Sequence, residues 1–217
     1  MSTHKPTESG NQEPFAKAKS LTAPIARCNP ILELELVLAR RDLATFVRRQ
    51  AVEAEQRLGF GIRPTPTAPN TYQQLRGAYV TSVDSGVPLP ISNLYCEDSI
   101  YFAPSDNVAF RFWHDTAHVA LGVSFSLEDE LELAQWHLEQ LERAGLTSDT
   151  LPWKVFHADT VGQIQLMGLI GRFPINQLRF VTDCIEFGPE VGLLDEIRRL
   201  PSPDAPTQVR SDILVTT

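Results

Sequence analysis

Four of the five histidines, His114, His118, His137 and His157, fall in one part of the chain, and the fifth, His4, stands apart near the start. His114 and His118 are four residues apart in Phe110-Arg111-Phe112-Trp113-His114-Asp115-Thr116-Ala117-His118-Val119. On a helix that spacing stacks both imidazoles on one face, at a separation suited to chelating a single metal ion. Phe110 and Leu121 extend the same stripe, so the pair is expected to point inward. In the next apolar segment a core stripe runs Leu127, Leu131, Ala134, Leu138, Leu141, with Glu130 and His137 on its flank and Glu128, Asp129, Glu132, Glu139 and Glu142 facing solvent. His157 keeps company with Val161, Ile164 and Gly168, again one imidazole in an apolar stripe.

These residue types define a chemistry. A buried carboxylate at Glu130 costs several kcal/mol unless it meets a metal, a histidinium or an arginine such as Arg111 or Arg172. Imidazoles with a carboxylate suit zinc, iron or manganese, so a divalent metal ion held by His114, His118, Glu130, His137 and His157 is the expected cofactor. With a coordination position left open, such an ion makes hydroxide from bound water near neutral pH, and Asp115, beside His114, is the candidate catalytic base or orienter. The favoured reading is a metal-dependent hydrolase acting on a small molecule. Two others stay open, a non-heme iron oxidase or oxygenase, and a non-enzymatic interaction protein whose histidines are structural.

The His-Asp-Thr-Ala-His segment resembles the zincin motif His-Glu-x-x-His, with Asp115 in the place of the glutamate base. The His114-Asp115 pair also resembles the HD-domain metal phosphohydrolases, a likeness that implies Asp183 as a later metal ligand. Only His4 precedes His114, so the upstream histidine of that family has no counterpart close by.

The elements that position these residues are legible from punctuation. Asn29 and Pro30 open a helix whose inward stripe, from Leu36 through Ala39, Leu43, Phe46, Val47 and the polar Gln50 to Ala54, stops at Gly59. Further helices are expected from Ser105 or Asp106 to Gly122, from Ser126 to Gly145, from Thr150 to near Gly171, and from Pro174 to before Gly188 and Pro189. Ser126 and Asp129 read as a capping pair. Residues 60–103, broken by Pro64, Pro66, Pro69, Pro88 and Pro90, are expected to be a long ordered loop region with one short helix near Tyr72 to Val83 and extended pieces at 93–96 and 99–102. The fold class is therefore all-α, a helical bundle in one domain over residues 29–200. Residues 1–28 are expected to form a disordered arm and residues 201–217 a flexible tail.

Composition trims the functional classes. Of 217 residues, 19 are Lys or Arg and 27 are Asp or Glu, a formal charge of −8 that argues against nucleic acid as partner. Cys28, Cys96 and Cys184 lie far apart, with no thiolate zinc knuckle or disulfide framework, and neither a secretory h-region nor a membrane-length apolar run is present. A cytoplasmic protein away from membranes is expected. A protein partner through residues 60–103 is possible on this reading. Arg40, Arg41, Arg48 and Arg49 form two pairs on one helix face that could hold an anion, although such pairs are usually a solvated face. Trp113, Trp136 and Trp153 each sit close to a helical histidine and could wall a site.

Overall fold

Leu36, Ala39, Leu43, Phe46, Val47, Ala51 and Ala54 recur at helical spacing and are buried, while Glu35, Arg41, Asp42 and Glu53 between them are exposed. They form the inner face of α1 (Pro30–Leu58), the longest element of the computed structural model, which describes residues 30–200. The expected arm and tail, with His4 and Cys28, lie outside the described residues. The arginine pairs of α1 hold the chain to itself. Arg40 donates through Nε to the Ile100 carbonyl at 2.8 Å and through Nη2 to the Tyr101 carbonyl at 3.1 Å, and Arg48 lies 3.3 Å from the Asp106 carboxylate.

The Pro-rich region is more ordered than its punctuation implies. It forms β1 (Ile62–Thr65), α2 (Tyr72–Ser85) and β2 (Leu89–Ser92), with the strands paired in parallel, Ile62 opposite Leu89 and Thr65 opposite Ser92. The extended pieces lie here, and not at 93–96 or 99–102. Pro90 does not prevent pairing because Leu89 and Asn93 donate toward β1, to the carbonyls of Gly61 and Thr65, and this alternation turns the Pro90 nitrogen away from the partner strand. Leu89 and Ile91 pack with Phe60, Leu75 and Phe112 into one of the apolar clusters.

Behind it stand the helices of the bundle. Pro104 opens α3 (Pro104–Leu121), and Gly122, at a φ of 75°, closes it in the left-handed conformation that favours glycine. Ser126 accepts from the Asp129 amide at 3.2 Å and opens α4 (Leu127–Arg143), as the capping pair implied. The segment expected as one helix from Thr150 is α5 (Leu151–His157), a single π-helical turn (Ala158–Gly162) and α6 (Gln163–Ile170). Asn176 caps α7 (Gln177–Phe187), and Pro189, expected to terminate the helices, instead occupies the first turn of a further one, α8 (Pro189–Arg198), where its missing N–H costs nothing. The second apolar cluster joins α1, α3, α4, α5 and α7 through Leu43, Phe46, Trp113, Leu138, Phe156 and Phe180. The fold is all-α with one small two-stranded sheet. No helix among the described residues is long and apolar enough to cross a membrane.

Candidate metal centre

The i, i+4 pair on α3 turns inward as its spacing implied. His118 is 0% exposed, and its Nδ1 donates to the Val123 carbonyl at 3.1 Å. That bond is available because Gly122 reverses the chain just beyond α3, with the amides of Gly122 and Val123 both returning to the His118 carbonyl. A neutral imidazole that donates through Nδ1 has a bare lone pair at Nε2. The Nε2 of His114 faces that lone pair at 3.0 Å. Two ring nitrogens this close, one of them without a proton, share a proton or a cation between them.

Glu130 closes the group from α4. Its carboxylate is buried at 6% exposure, with one oxygen 3.5 Å from Nε2 of His114 and the other 3.6 Å from Nε2 of His118. Neither arginine proposed from the sequence takes it. Arg111 donates through Nη1 to the carbonyls of Ser92 and Leu94, and Arg172 pairs with Glu196. One ligand atom from each of His114, His118 and Glu130 lies within 4.8 Å of the others, so the three form a group that could hold a metal ion. Separations of this size match donors about 2.0–2.2 Å from one ion at angles of roughly 90–120°.

His137 stands behind this group. Its Nε2 meets Nδ1 of His114 at 3.2 Å, the side of the ring turned away from His118, so it orients His114 and does not join the three donors. Packed 4.1 Å from the Trp113 ring centroid and 5.1 Å from that of Trp136, it is 0% exposed, and burial lowers its pKa to about 3, which keeps it neutral. His157 is elsewhere. It stacks on Trp153 at 4.9 Å and 18° and lies outside the group of three, with burial again lowering its pKa. Two of the tryptophans thus wall His137, and the third carries His157.

The α4 stripe keeps Ala134, Leu138 and Leu141 of the one expected and differs in its N-terminal half. Leu133 is buried and Leu131 is exposed, so Glu130 and His137 occupy the middle of the buried face with Leu133, Ala134, Leu138 and Leu141. Leu121 is also exposed, since the α3 stripe turns to solvent at its last residue. No protein-family model, curated protein or solved structure matches the chain. The chemistry of the site therefore rests on its geometry.

A cavity of about 470 Å³ opens beside the donors. His114, Asp115, Glu130 and His137 border it, Phe110, Phe125, Leu127 and Met167 give it an apolar wall, and the Pro66–Asn70 loop with Leu94 and Tyr95 forms its rim. The β1–α2–β2 unit therefore shapes the access to the donors. The remaining border was not anticipated: Asp159, Thr160 and Gln163, on and just after the π-helical turn. Asp159 is 7% exposed and accepts from Gln163 Nε2 at 2.6 Å, and burial pushes its pKa up to about 7. The sequence held a signal for the pair, two polar residues four apart in an apolar segment, the pattern that identified His114 and His118. Asp183 is not near the donors. It pairs with Arg199 at 3.1 Å and Arg179 at 3.8 Å, so the later ligand implied by the HD-domain likeness has no counterpart there. Neither described cysteine contributes: Cys96 and Cys184 are buried, and burial raises both thiols, Cys184 to about 12.

Proposed function

We propose that the chain is a metal-dependent enzyme acting on a small molecule, and that its reaction is hydrolysis. The observation that carries this reading is the meeting of His114, His118 and Glu130 at the wall of a cavity large enough for a small organic molecule. Bound there, zinc, iron or manganese supplies Lewis-acid activation of water near neutral pH. His114 and His118 bind through Nε2, and Glu130 adds the anionic ligand. The Val123 carbonyl and His137 keep the two rings turned toward the ion. Asp115, on the cavity border beside His114, accepts the proton that water gives up as it attacks. Phe110, Phe125 and Leu127 keep bulk water from the remainder of the space.

A second reading has its own observation. Two histidines and one carboxylate are also the ligand set of non-heme iron enzymes that activate oxygen, and three protein ligands leave room for both substrate and oxygen. Metal analysis of untagged protein is the first test, followed by zinc and manganese forms assayed on esters, amides and phosphoesters, and an iron(II) form assayed for oxygen uptake. Asp115→Asn is expected to retain the metal and lose about 100-fold or more of the hydrolysis. Oxygen uptake with no hydrolysis would transfer the assignment to the second reading. If protein stripped with a chelator is as stable as untreated protein and binds none of the three metals, the metal reading fails.

A further inference from the structure

The cavity has a second polar end that the metal donors do not explain. The π-helical turn widens the helix between α5 and α6 by one residue per turn, and such turns are rare and concentrate at functional sites. Here it places Asp159 and Gln163 on the cavity border and brings them into contact. The bond between them joins Gln163 Nε2 to Asp159 Oδ1. It leaves Asp159 Oδ2 and Gln163 Oε1, two acceptors in a pair of residues each more than nine-tenths buried, with no donor among the described residues. Both atoms keep some access, since neither is among the sealed, partnerless atoms of the structure. Among the described residues Arg111 is the Lys or Arg side chain on the cavity border; its charge reaches Asp159, but its Nη1 hydrogen bonds go to the Ser92 and Leu94 carbonyls and none goes to the Asp159 carboxyl. Two adjacent acceptors that no Lys or Arg hydrogen bond reaches among the described residues are complementary to a donor that carries several hydrogens and a positive charge.

We propose that the Asp159–Gln163 pair is the substrate-selecting end of the cavity, and that it holds the protonated amino group of a small amine whose apolar body rests on Phe110, Phe125, Leu127 and Met167. This rests on the reading of the cavity as the binding site for a small-molecule substrate, and it names the class of that substrate. Burial raises the pKa of Asp159 against the opposing pull of the Gln163 hydrogen bond and the Arg111 charge, and an ammonium group in contact would favour the ionised carboxylate further. Gln163 has two functions: its Nε2 holds the carboxyl in place, and its Oε1 accepts a second hydrogen from the ligand.

The test uses three probes of nearly the same shape, 2-phenylethylamine, 2-phenylethanol and propylbenzene, with binding to the full chain measured by ligand-detected NMR near pH 8, where the Asp159 carboxyl is ionised and the amine still protonated. The amine is expected to bind about 10-fold or more tighter than the alcohol and the hydrocarbon. Asp159→Asn is expected to abolish that preference and leave propylbenzene binding and zinc content unchanged. Gln163→Leu is expected to weaken the preference in part. Absence of an amine preference in the wild type, its survival in Asp159→Asn, or failure of all three probes to bind would each overturn the proposal. Zinc titration of the same samples separates the two readings. An amine preference without zinc binding would retain this site and remove the metal enzyme, and zinc binding without an amine preference would do the reverse.

Discussion

Two of the buried carboxylates among the described residues, Glu196 and Glu130, are treated in opposite ways. Glu196 on α8 is 0% exposed and completely answered: Oε1 accepts from Arg172 Nη1 at 2.9 Å and from the Ile175 amide at 2.8 Å, and Oε2 accepts from Arg199. Arg172 also donates to the carbonyls of Phe173, Glu196 and Arg199, and Arg199 reaches on to Asp183. Glu130, nearly as deeply buried, faces the Nε2 atoms of His114 and His118 at 3.5 and 3.6 Å and borders a cavity. A buried charge held by fixed cations is a structural lock; one that meets imidazoles at the wall of a cavity is, on the proposed reading, a metal ligand. The lock also serves the open site, because it holds the turn between α6 and α7 from which Phe173 and Gln177 reach the cavity border.

The largest test of this contrast is Glu196→Ala. Removing one member of a closed, buried ionic network leaves Arg172 without its carboxylate and Arg199 with Asp183 alone, and is expected to cost about 3–5 kcal/mol in urea unfolding, with zinc affinity unchanged in the folded fraction. Glu130→Gln is expected to do the converse, weakening zinc binding with little loss of stability in the presence of a chelator. His118→Ala comes next, with zinc affinity falling about 100-fold or more, which is roughly 2.7 kcal/mol, by calorimetry. A variant that binds zinc as tightly as the wild type would show that the donors form a hydrogen-bonded core and not a ligand set. Smaller again is His137→Phe, which keeps the aromatic packing but removes the contact to His114 Nδ1. Zinc should still bind, about 10-fold more weakly. The last effect is electrostatic. Asp159 titrates near 7 in the fold, against about 4 when unfolded, so within that window the folded protein keeps a proton that the unfolded chain has released. Wild-type stability should therefore fall as pH rises through the window, and Asp159→Asn should gain on it by roughly 1 kcal/mol or more above it. Parallel pH profiles for the two proteins would show that the carboxyl is solvated.

The legible parts of this fold were those governed by local rules. The i, i+4 spacing of His114 and His118, the glycine that ends α3 and the serine that opens α4 all depend on residues within a turn or two of each other. Elsewhere the decisive partner was distant. Pro64 and Pro90 read as breakers, yet a two-stranded parallel pair leaves each strand an outward side on which a missing donor costs nothing. Gly188 and Pro189 read as an ending because a stop and a new start use the same residues; Gly192 shows what makes the new helix worthwhile. A Cβ there would lie 2.4 Å from Cys184 Sγ, so α7 and α8 pack closer than any side chain allows. The π-helical turn had no such local mark. Its Gly162 lies where a Cβ would sit 3.3 Å from the Phe180 ring, a tertiary contact invisible to periodicity, and Asp159 and Gln163 were overlooked with it. In α4 the burial of Leu133 in place of Leu131 sets Glu130 and His137 within the buried face and not on its flank, a choice made by the neighbouring helices.

The turn at Gly122 has a consequence for the speed and tightness of capture. An unpinned imidazole samples two ring flips and two tautomers, and only a fraction of those states presents a lone pair in the right direction. By holding the Val123 carbonyl against Nδ1, the chain reversal removes that search before any ion arrives, and the ordering entropy is charged to folding and not to association. On the proposed reading, selectivity at this site would begin in a peptide group that lies outside the three donors.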